Sequence, residues 1–521
     1  MTSSSAIART VVILFALCAL GGAREGAPKR VRLALGPEPA SLVLTWATDG
    51  AAVPQAICAE WSACEESECG GDAAEERRLS SRPRASYLGS TFLDTWLRQP
   101  GPEPRRLCVR GASVPFYDPG SNRTTQVIHS LVLEDLPASQ PFAYRVGAVW
   151  TLEATAWSAW MAARGPAAPL ATQARLLVFG DLGLYNAPAR PALIAEGAGP
   201  GFEGRPYDAA FHVGDLAYDL ATAGGSRGFR FLAAMEPLAS RLPYMVVPGN
   251  HEAPHDFAHF RAMFRMPRRA ASDNLFYSLD VGPVHLVVYN TEAFFWPGSF
   301  DAAYMRRMHA WLDRDLAAAN RARARTPWVI VLGHRPLYCA APLASTGRCD
   351  YETRAGQRGI PSVCPHNNPR LCRPVGPGVA PIEELFHKHG VDLAVYGHIH
   401  DYERYLPVYN YTVFGGVEAG PGNQSVYRSP RATVHVTAGG GGNSEMRKGS
   451  CPPARGRCDP DAPWCAFQSG FAPSGCESAD HSFGRVAVYN ATHLRWQQWS
   501  HSFGEVEDDW WIVQPNHGSF L

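Results

Sequence analysis

The 521-residue sequence lacks an excess of charge of either sign, and it lacks any long apolar run beyond its first 23 residues. Lys plus Arg equals Asp plus Glu, at 48 each, so the composition gives no support to nucleic acid as a partner. Only 18% of residues are charged, which argues against long disordered segments. Because no later apolar run approaches the roughly 18 residues of a membrane helix, we expect no stable membrane insertion. The sequence leaves the oligomeric state open.

Residues 1–23 have the organisation of a secretory signal peptide. Arg9 supplies a positive charge, Val11 to Leu20 is too short to span a bilayer, and Gly21-Gly22-Ala23 offers a small-residue cleavage site. A membrane anchor is the alternative interpretation. We therefore expect a secreted, extracellular protein, or one of a lysosome-like lumenal compartment.

The spacing Cys-x-x-Cys is also absent, which disfavours a cysteine-bound zinc site. Once Cys18 leaves with the signal peptide, the other cysteines form three groups of four, and even groups predict local disulfides with three possible pairings in each. The groups are Cys58, Cys64, Cys69 and Cys108; Cys339, Cys349, Cys364 and Cys372; and Cys451, Cys458, Cys465 and Cys476. Glycosylation sequons, which fit the same compartment, occur at Asn122, Asn410, Asn423 and Asn490.

The pattern of predicted elements changes once along the chain. Residues 24–165 read as short strands and turns, which predicts an all-β sandwich with a disulfide-tied insertion at 58–110. Residues 162–173 are small and Pro-rich, which predicts a linker. Strands and helices then alternate over 170–521, so the fold class becomes α/β. Apolar spacing predicts one helix from about Tyr304 to Arg321 and another over Ile382–His389, with Gly390 as its C-cap.

Five apolar strands of the second region end in the same way, with Gly followed by Asp, Asn or His. The clusters are Gly180-Asp181, Gly214-Asp215 with Tyr218, Gly249-Asn250-His251, Gly333-His334, and Gly397-His398-Ile399-His400. One such cluster usually marks a turn with a solvated polar residue. Five of them favour a shared site, because polar groups at the carboxyl edge of a sheet can converge. Seven ligand-type side chains are too many for one ion and suit two ions that share a bridging carboxylate.

These five ordered blocks resemble those of the calcineurin-like metallophosphoesterases. Tyr218 in Gly-Asp-x-x-Tyr narrows the resemblance to the purple acid phosphatases, as does the stretch Gly397-His-Ile-His-Asp-Tyr-Glu-Arg404. The resemblance covers the chain from about residue 30 to its end. It implies an α/β four-layer metallophosphoesterase sandwich, in which helices flank the β-sheets, preceded by a fibronectin-III-like β-sandwich domain.

The resemblance also implies a ligand set, residue by residue. Asp181, Asp215, Tyr218 and His400 would hold the first metal, and Asp215, Asn250, His334 and His398 would hold the second. Two carboxylates and a phenolate form a hard anionic set suited to Fe³⁺. Two imidazoles and an amide oxygen suit a divalent ion, Zn²⁺ or alternatively Fe²⁺ or Mn²⁺.

The predicted activity is that of an acid phosphatase, which hydrolyses small phosphate monoesters by attack of a metal-bound hydroxide on phosphorus. The family's Gly-Asn-His-(Asp/Glu) block gives His251 a role at the phosphoryl group or the leaving oxygen, with structural support of the site as the alternative. Two other functions remain open: a phosphodiesterase or nucleotide pyrophosphatase of the same fold, and a non-catalytic secreted binding protein.

The sequence departs from the family pattern between Leu337 and Pro381. In long purple acid phosphatases the residues after the fourth block shape the substrate entrance and often supply another catalytic His. Here the segment is long, Pro-rich and cysteine-containing, and its one histidine, His366, aligns with no family residue. The choice of substrate is therefore the least defined part of the prediction.

Overall fold

The computed structural model describes residues 26–63, 104–151, 154–267, 274–340, 362–363, 373–375, 379–446, 458, 462–469 and 480–521. The predicted signal peptide and His366 lie outside the described residues, as does most of the segment between Leu337 and Pro381.

The chain alternates between short strands and a few helices. In chain order the strands are β1 (Lys29–Leu35), β2 (Leu42–Asp49), β3 (Ala56–Ala63), β4 (Arg105–Val109), β5 (Ser113–Asp118), β6 (Arg123–Leu133), β7 (Pro141–Thr151), β8 (Ala154–Trp157), β9 (Met161–Arg164), β10 (Ala174–Phe179), β11 (Ala209–His212), β12 (Tyr244–Val246), β13 (Tyr277–Val281), β14 (Val284–Val288), β15 (Trp328–Leu332), β16 (Ser362–Val363), β17 (Arg373–Pro374), β18 (Leu393–Tyr396), β19 (Tyr402–Tyr405), β20 (Val408–Tyr409), β21 (Thr412–Val413), β22 (Glu418–Ala419), β23 (Ser425–Arg428), β24 (Val434–Ala438), β25 (Cys465–Gln468), β26 (Ser482–Val488), β27 (His493–Ser500) and β28 (Glu505–Val513). The α-helices are α1 (Arg190–Ala198), α2 (Ser226–Ala239), α3 (Ala258–Met263), α4 (Ala302–Arg321) and α5 (Ile382–His389).

The N-terminal region is all-β. One antiparallel sheet has the order β1-β2-β6-β5, and the other has the order β4-β3-β7-β8 with β9 also paired to β7. Its core contains the buried side chains of Trp46, Trp61 and Tyr144. Because Met161–Arg164 is a strand of this sheet, the prediction of a linker is wrong for residues 162–164.

The sandwich packs against helix α2 of the following region. The Arg30 guanidinium donates to the Phe229 carbonyl at 3.1 Å, and the Val31 amide donates to the Glu236 carboxylate at 2.9 Å. The Tyr144 hydroxyl, from the other sheet, donates to the Ser240 carbonyl at 2.6 Å. Both sheets of the sandwich therefore contact the α2 region.

The second region contains two mixed sheets with a large apolar core. Their orders are β12-β11-β10-β26-β27-β28-β23-β22 and β13-β14-β15-β18-β24-β19-β25. Strands β10, β11 and β12 run parallel in the first sheet, and β14, β15, β18 and β24 run parallel in the second. These parallel strands are almost completely buried, which explains their continuous apolar sequences. The predicted fold class, an α/β region after an all-β region, is confirmed.

Both helices predicted from apolar spacing are confirmed. Helix α4 buries Met308, Leu312 and Leu316 on one face, and the Asp301 side chain caps its N-terminus by accepting from the Tyr304 amide at 2.7 Å. Helix α5 ends at Gly390, whose φ of 62° is the left-handed conformation that Gly adopts without a steric penalty. None of the described helices is long and apolar enough to cross a bilayer.

Disulfides occur within the predicted cysteine groups. Cys58 pairs with Cys108, directly across β3 and β4, and Cys458 pairs with Cys465. Cys339 is disulfide-bonded as well. The prediction of local disulfides is confirmed for the pairs Cys58–Cys108 and Cys458–Cys465.

Candidate metal centre

The predicted ligand clusters lie at the carboxyl ends of parallel strands from both sheets. In the first sheet β10 leads to Asp181, β11 to Asp215 and β12 to Asn250. In the second sheet β15 leads to His334, and β18 leads to His398. Because parallel strands end at the same edge of a sheet, each sheet presents its polar groups on one side, where the two sheets meet.

Two glycines allow the ligand loops to approach each other. Gly214 has φ of 92°, and a Cβ there would lie 2.2 Å from His334 Nδ1. A Cβ on Gly397 would lie 2.4 Å from Asp181 Oδ2 and 2.7 Å from the Val213 carbonyl oxygen. Neither position has room for a side chain, so the Gly that precedes each ligand is a packing requirement of the site.

The first group of candidate ligands joins three loops. The Tyr218 hydroxyl lies 3.1 Å from Asp181 Oδ1 and 2.8 Å from His400 Nε2. Asp181 Oδ1 lies 3.5 Å from His400 Nε2, and Asp181 Oδ2 accepts from the His398 amide at 2.9 Å. Ligand atoms of Asp181, Asp215 and His400 all lie within 4.8 Å of one another, close enough to hold one ion.

The second group shares Asp215 with the first. His334 Nε2 lies 3.1 Å from Asp215 Oδ2 and 3.2 Å from Asn250 Oδ1. His334 Nδ1 lies 2.8 Å from the Val213 carbonyl, which can only accept, so the proton is on Nδ1 and Nε2 is left to bind a metal. Ligand atoms of Asp215, His334 and His398 again lie within 4.8 Å of one another. The structure thus brings all seven predicted ligands into one cluster, with Asp215 in both halves.

The electrostatics of the cluster fit a cationic group. Asp181 and Asp215 are 0% and 1% exposed, and among the described residues they have no Lys or Arg ion-pair partner. Burial, opposed in part by His334 and reinforced by the charge of Asp215, raises the pKa of Asp181 well above its usual range. Burial alone would also raise the pKa of Asp215, but the adjacent His334 holds it well below its usual range. Buried carboxylates of this kind are stable when they are paired or bind metal.

His251 lies beside the first group, with its ring centre 4.2 Å from that of Tyr218 and the two ring planes tilted by 39°. Its amide donates to Asp215 Oδ1 at 2.9 Å, and its Nδ1 lies 2.6 Å from Asp219 Oδ1. Nε2 lies 3.4 Å from Glu445 Oε1 and 3.9 Å from Asp215 Oδ2. Burial alone would lower the pKa of His251, but its hydrogen bonds to Asp219 and Glu445 and the charge of Asp215 raise that pKa to about 11. His251 is therefore held between carboxylates next to the candidate ligands.

Glu252 connects two of the ligand loops through hydrogen bonds to its buried carboxylate. One oxygen of its buried carboxylate accepts from the Asp215 amide at 3.0 Å and the Gly249 amide at 2.9 Å, and the other accepts from the Leu216 amide at 2.9 Å. Burial and the charge of Asp215 raise the pKa of Glu252 to about 8. The carboxylate thus fixes the backbone of two ligand loops at once.

Sequence reasoning missed two supports of the site. Buried Asn443 donates to the Asp181 carbonyl at 3.1 Å, while its side-chain oxygen accepts from the amides of Glu445 and Met446 at 2.8 and 3.1 Å. Asn443 follows strand β24 and the run of glycines from Gly439 to Gly442. It repeats the strand, Gly and polar-residue pattern of the other clusters, and that signal could have identified it.

The second missed support is a buried ion pair behind the second group. Arg335 Nε lies 3.0 and 3.1 Å from the two carboxylate oxygens of Glu292, and its guanidinium lies 4.3 Å from the centre of the Phe295 ring. Arg335 Nη1 donates to His398 Nε2 at 3.0 Å. Nothing in the local sequence around Glu292 signals this contact, because the partners are distant in the chain.

The fold and this cluster define a dinuclear metallophosphoesterase centre, and comparison with known proteins gives the same class. Residues 174–402 match the family model of calcineurin-like phosphoesterases, and residues 432–509 match that of the iron/zinc purple acid phosphatase-like protein C-terminal region. Human acid phosphatase type 7 is 32% identical over 516 residues, which cover 98% of this chain and 96% of the relative. The mouse acid phosphatase type 7 is 32% identical over 81% of this chain and 84% of its own length.

The chain belongs to the purple acid phosphatase family of calcineurin-like metallophosphoesterases. A solved purple acid phosphatase from yellow lupin has the same fold, with a TM-score of 0.66 and 20% identity over 94% of this chain and 75% of its own. An Arabidopsis relative, 24% identical over 93% of this chain and 69% of its own length, is named a probable inactive purple acid phosphatase. Family membership therefore gives the class of centre, and activity must be argued from the residues of this chain.

Proposed function

We propose that this protein is a secreted, glycosylated acid phosphatase that hydrolyses small phosphate monoesters. The observation that carries this proposal is the complete cluster of seven ligand-type side chains, with Asp215 common to both halves. A non-catalytic relic would be expected to have lost ligands. Three of the four sequon residues, Asn122, Asn410 and Asn490, have exposed side chains, which supports glycosylation, and the disulfides support an extracellular or lumenal compartment.

We assign Fe³⁺ to the group of Asp181, Asp215, Tyr218 and His400. The second ion, Zn²⁺ or alternatively Fe²⁺ or Mn²⁺, is assigned to the group built around His334. Burial and the charges of Asp181 and Asp215 raise the pKa of Tyr218 well above the usual value near 10, so only a strong Lewis acid would make its phenol ionise. When bound, the two ions supply charge stabilisation for the phosphoryl group and an activated water.

The roles of the protein side chains follow from their positions. The candidate ligands are fixed across the two sheets by hydrogen bonds to one another, so little reorganisation is needed to receive a phosphoryl group. His251 lies beside the first group with one ring nitrogen on Asp219 and the other directed towards Glu445 and Asp215. From there it can protonate the leaving oxygen of the ester.

The proposal is tested by the visible absorption spectrum and p-nitrophenyl phosphate hydrolysis of the purified, metal-loaded protein. We expect a broad visible band from tyrosinate bound to Fe³⁺, which Tyr218→Phe removes. Tyr244→Phe, which alters another buried tyrosine away from the ligands, is the matched control and should keep the band. An active but colourless protein would refute the Fe³⁺ assignment, and a metal-loaded protein without hydrolysis of any monoester would refute the enzyme. A preference for a bis-ester substrate would instead indicate a phosphodiesterase.

A further inference from the structure

A cluster of arginines borders the first ligand group on one side. We call Arg190, Arg227 and Arg230, together with Tyr185, the arginine patch. Arg227 and Arg230 lie one turn apart on helix α2, so their side chains share a face. Their guanidinium carbons lie 5.9 and 5.7 Å from the centre of the Tyr185 ring, which is 49% exposed. Arg190 Nη1 donates to the carbonyl of residue 184 at 3.0 Å and completes the group.

The charges of the arginine patch are not compensated within the described part of the chain. None of its three arginines has a carboxylate within ion-pair distance there. The acidic side chains nearby in the loops, Asp219 and Glu445, contact His251 instead, at 2.6 and 3.4 Å. Since the whole protein has zero net charge, three unpaired guanidinium groups beside an anionic centre are a local concentration of positive charge.

The arginine patch lies on the side of the centre where His251 is found. Arg227 donates to the carbonyl of Tyr218, and the next residue, Asp219, contacts the His251 ring. Tyr185 follows the ligand Asp181 by four residues, and its neighbour in the chain, Asn186, donates to the Asn443 carbonyl at 2.7 Å. Both connections place the patch beside the loops that surround the His251 ring. If His251 protonates the leaving oxygen, the leaving group extends towards this side.

We propose that Arg227 and Arg230 form a subsite for a second phosphate group carried by the leaving group of the substrate. The favoured substrates are then bisphosphorylated small molecules rather than simple monoesters. Guanidinium groups bind phosphate with paired, charge-assisted hydrogen bonds, and two of them on one helix face can hold one phosphate. Tyr185 holds the two side chains in place by contact with both. This inference rests on the proposed phosphatase function and adds the substrate class to it.

The test compares fructose 6-phosphate with fructose 1,6-bisphosphate, which differ by the second phosphate, on the metal-loaded protein. For the wild type we expect a lower KM for the bisphosphate and a preference that falls as salt rises. In Arg227→Gln/Arg230→Gln the preference, expressed as the ratio of kcat/KM for the two substrates, should fall about tenfold. Arg307→Gln/Arg314→Gln, which removes two exposed arginines from helix α4, is the matched control and should leave the ratio unchanged.

The outcomes separate the subsite from the proposed function. Equal KM values in the wild type, or an unchanged ratio in the double variant, would overturn the subsite even if both sugars are hydrolysed. Because Arg227 contacts the backbone of a ligand, Arg230→Gln alone is measured as well, and it should lower the ratio in the same direction. If no monoester is hydrolysed, the proposed function fails, and calorimetric binding of the same two sugars to the metal-loaded proteins still decides whether the second phosphate is recognised.

Discussion

Acid stability gives a prediction that can be worked out from one buried side chain of the sandwich. His129 on β6 is 0% exposed, with Nδ1 2.8 Å from the Ser113 hydroxyl and Nε2 3.0 Å from the Thr48 hydroxyl. Burial lowers the pKa of His129 from 6.5 to about 4. An enzyme proposed to work at acid pH therefore contains a group whose protonation opposes its own folded state.

The direction and the size of the stability change follow from the linkage between proton binding and folding. Because the folded pKa lies below the unfolded value, the unfolded chain takes up a proton first, and stability is lost as the pH falls from about 6.5 towards 4. A shift of one pKa unit corresponds to about 1.4 kcal/mol, so His129 alone should cost about 2 kcal/mol of unfolding free energy at pH 5 relative to pH 7.5. We therefore expect the unfolding free energy of His129→Gln to fall by about 2 kcal/mol less than that of the wild type when the pH is lowered from 7.5 to 5.

The assay is urea unfolding followed by tryptophan fluorescence at the two pH values, with equal metal loading. His285→Gln provides a control of opposite sign. Burial alone would lower the pKa of His285, but its hydrogen bonds to Asp280 and Asp315 raise it to about 9. The stabilising contribution of His285 is fully present below pH 6.5 and is lost as the pH rises through 9. The unfolding free energy of His285→Gln should therefore fall by about 1 kcal/mol more than that of the wild type when the pH is lowered from 7.5 to 5. Identical pH dependence in His129→Gln and the wild type would refute the reasoning.

Three further predictions concern the centre. Gly397→Ala should lose bound metal, measured by plasma mass spectrometry, because its Cβ would lie 2.4 Å from a ligand carboxylate, whereas Gly416→Ala, at an open position, should keep it. Glu292→Gln removes the carboxylate charge that faces the buried Arg335 guanidinium and should cost about 3–5 kcal/mol by chemical denaturation, a loss that Arg335→Met in the same chain should partly reverse. His251→Ala should lower kcat by about 10²–10⁴-fold, with a larger effect on an alkyl phosphate than on p-nitrophenyl phosphate and with metal content retained; equal effects on both esters would exclude proton donation to the leaving oxygen.

The ligand cluster could be predicted from the sequence because its signal is local. An apolar strand, a Gly and a polar residue occupy consecutive positions, and the carboxyl ends of parallel strands necessarily converge. The bounds of α5 agreed with its apolar spacing and with the Gly390 cap for the same reason. The strand of residues 161–164 was missed because small residues beside Pro resemble a linker, whereas pairing with β7 decides their conformation.

Contacts between distant segments could not be predicted in this way. His259 is buried against the sandwich, with Nε2 2.9 Å from Asp118 Oδ1, although the two residues are far apart in the sequence. The Arg335 contact with Glu292 joins residues that are 43 positions apart. In both cases the local pattern reads as an ordinary polar surface residue, and only the packing of one element on another removes the side chain from water.

The two sheets hold the candidate ligands in position by direct contacts between them. The Asp181 carboxylate, from the first sheet, accepts from the His398 amide of the second, and the His334 ring of the second donates to the Val213 carbonyl of the first. The ligand geometry is therefore a property of how the sheets pack, and it changes little without disturbing the core. The proposed subsite is less constrained, because Arg230 of the arginine patch contacts the Tyr185 ring, whereas Arg227 contacts the backbone of a ligand. If the proposed subsite is correct, one metal centre can be combined with different leaving-group specificities, and Arg230 is a position where substitution should change the substrate preference.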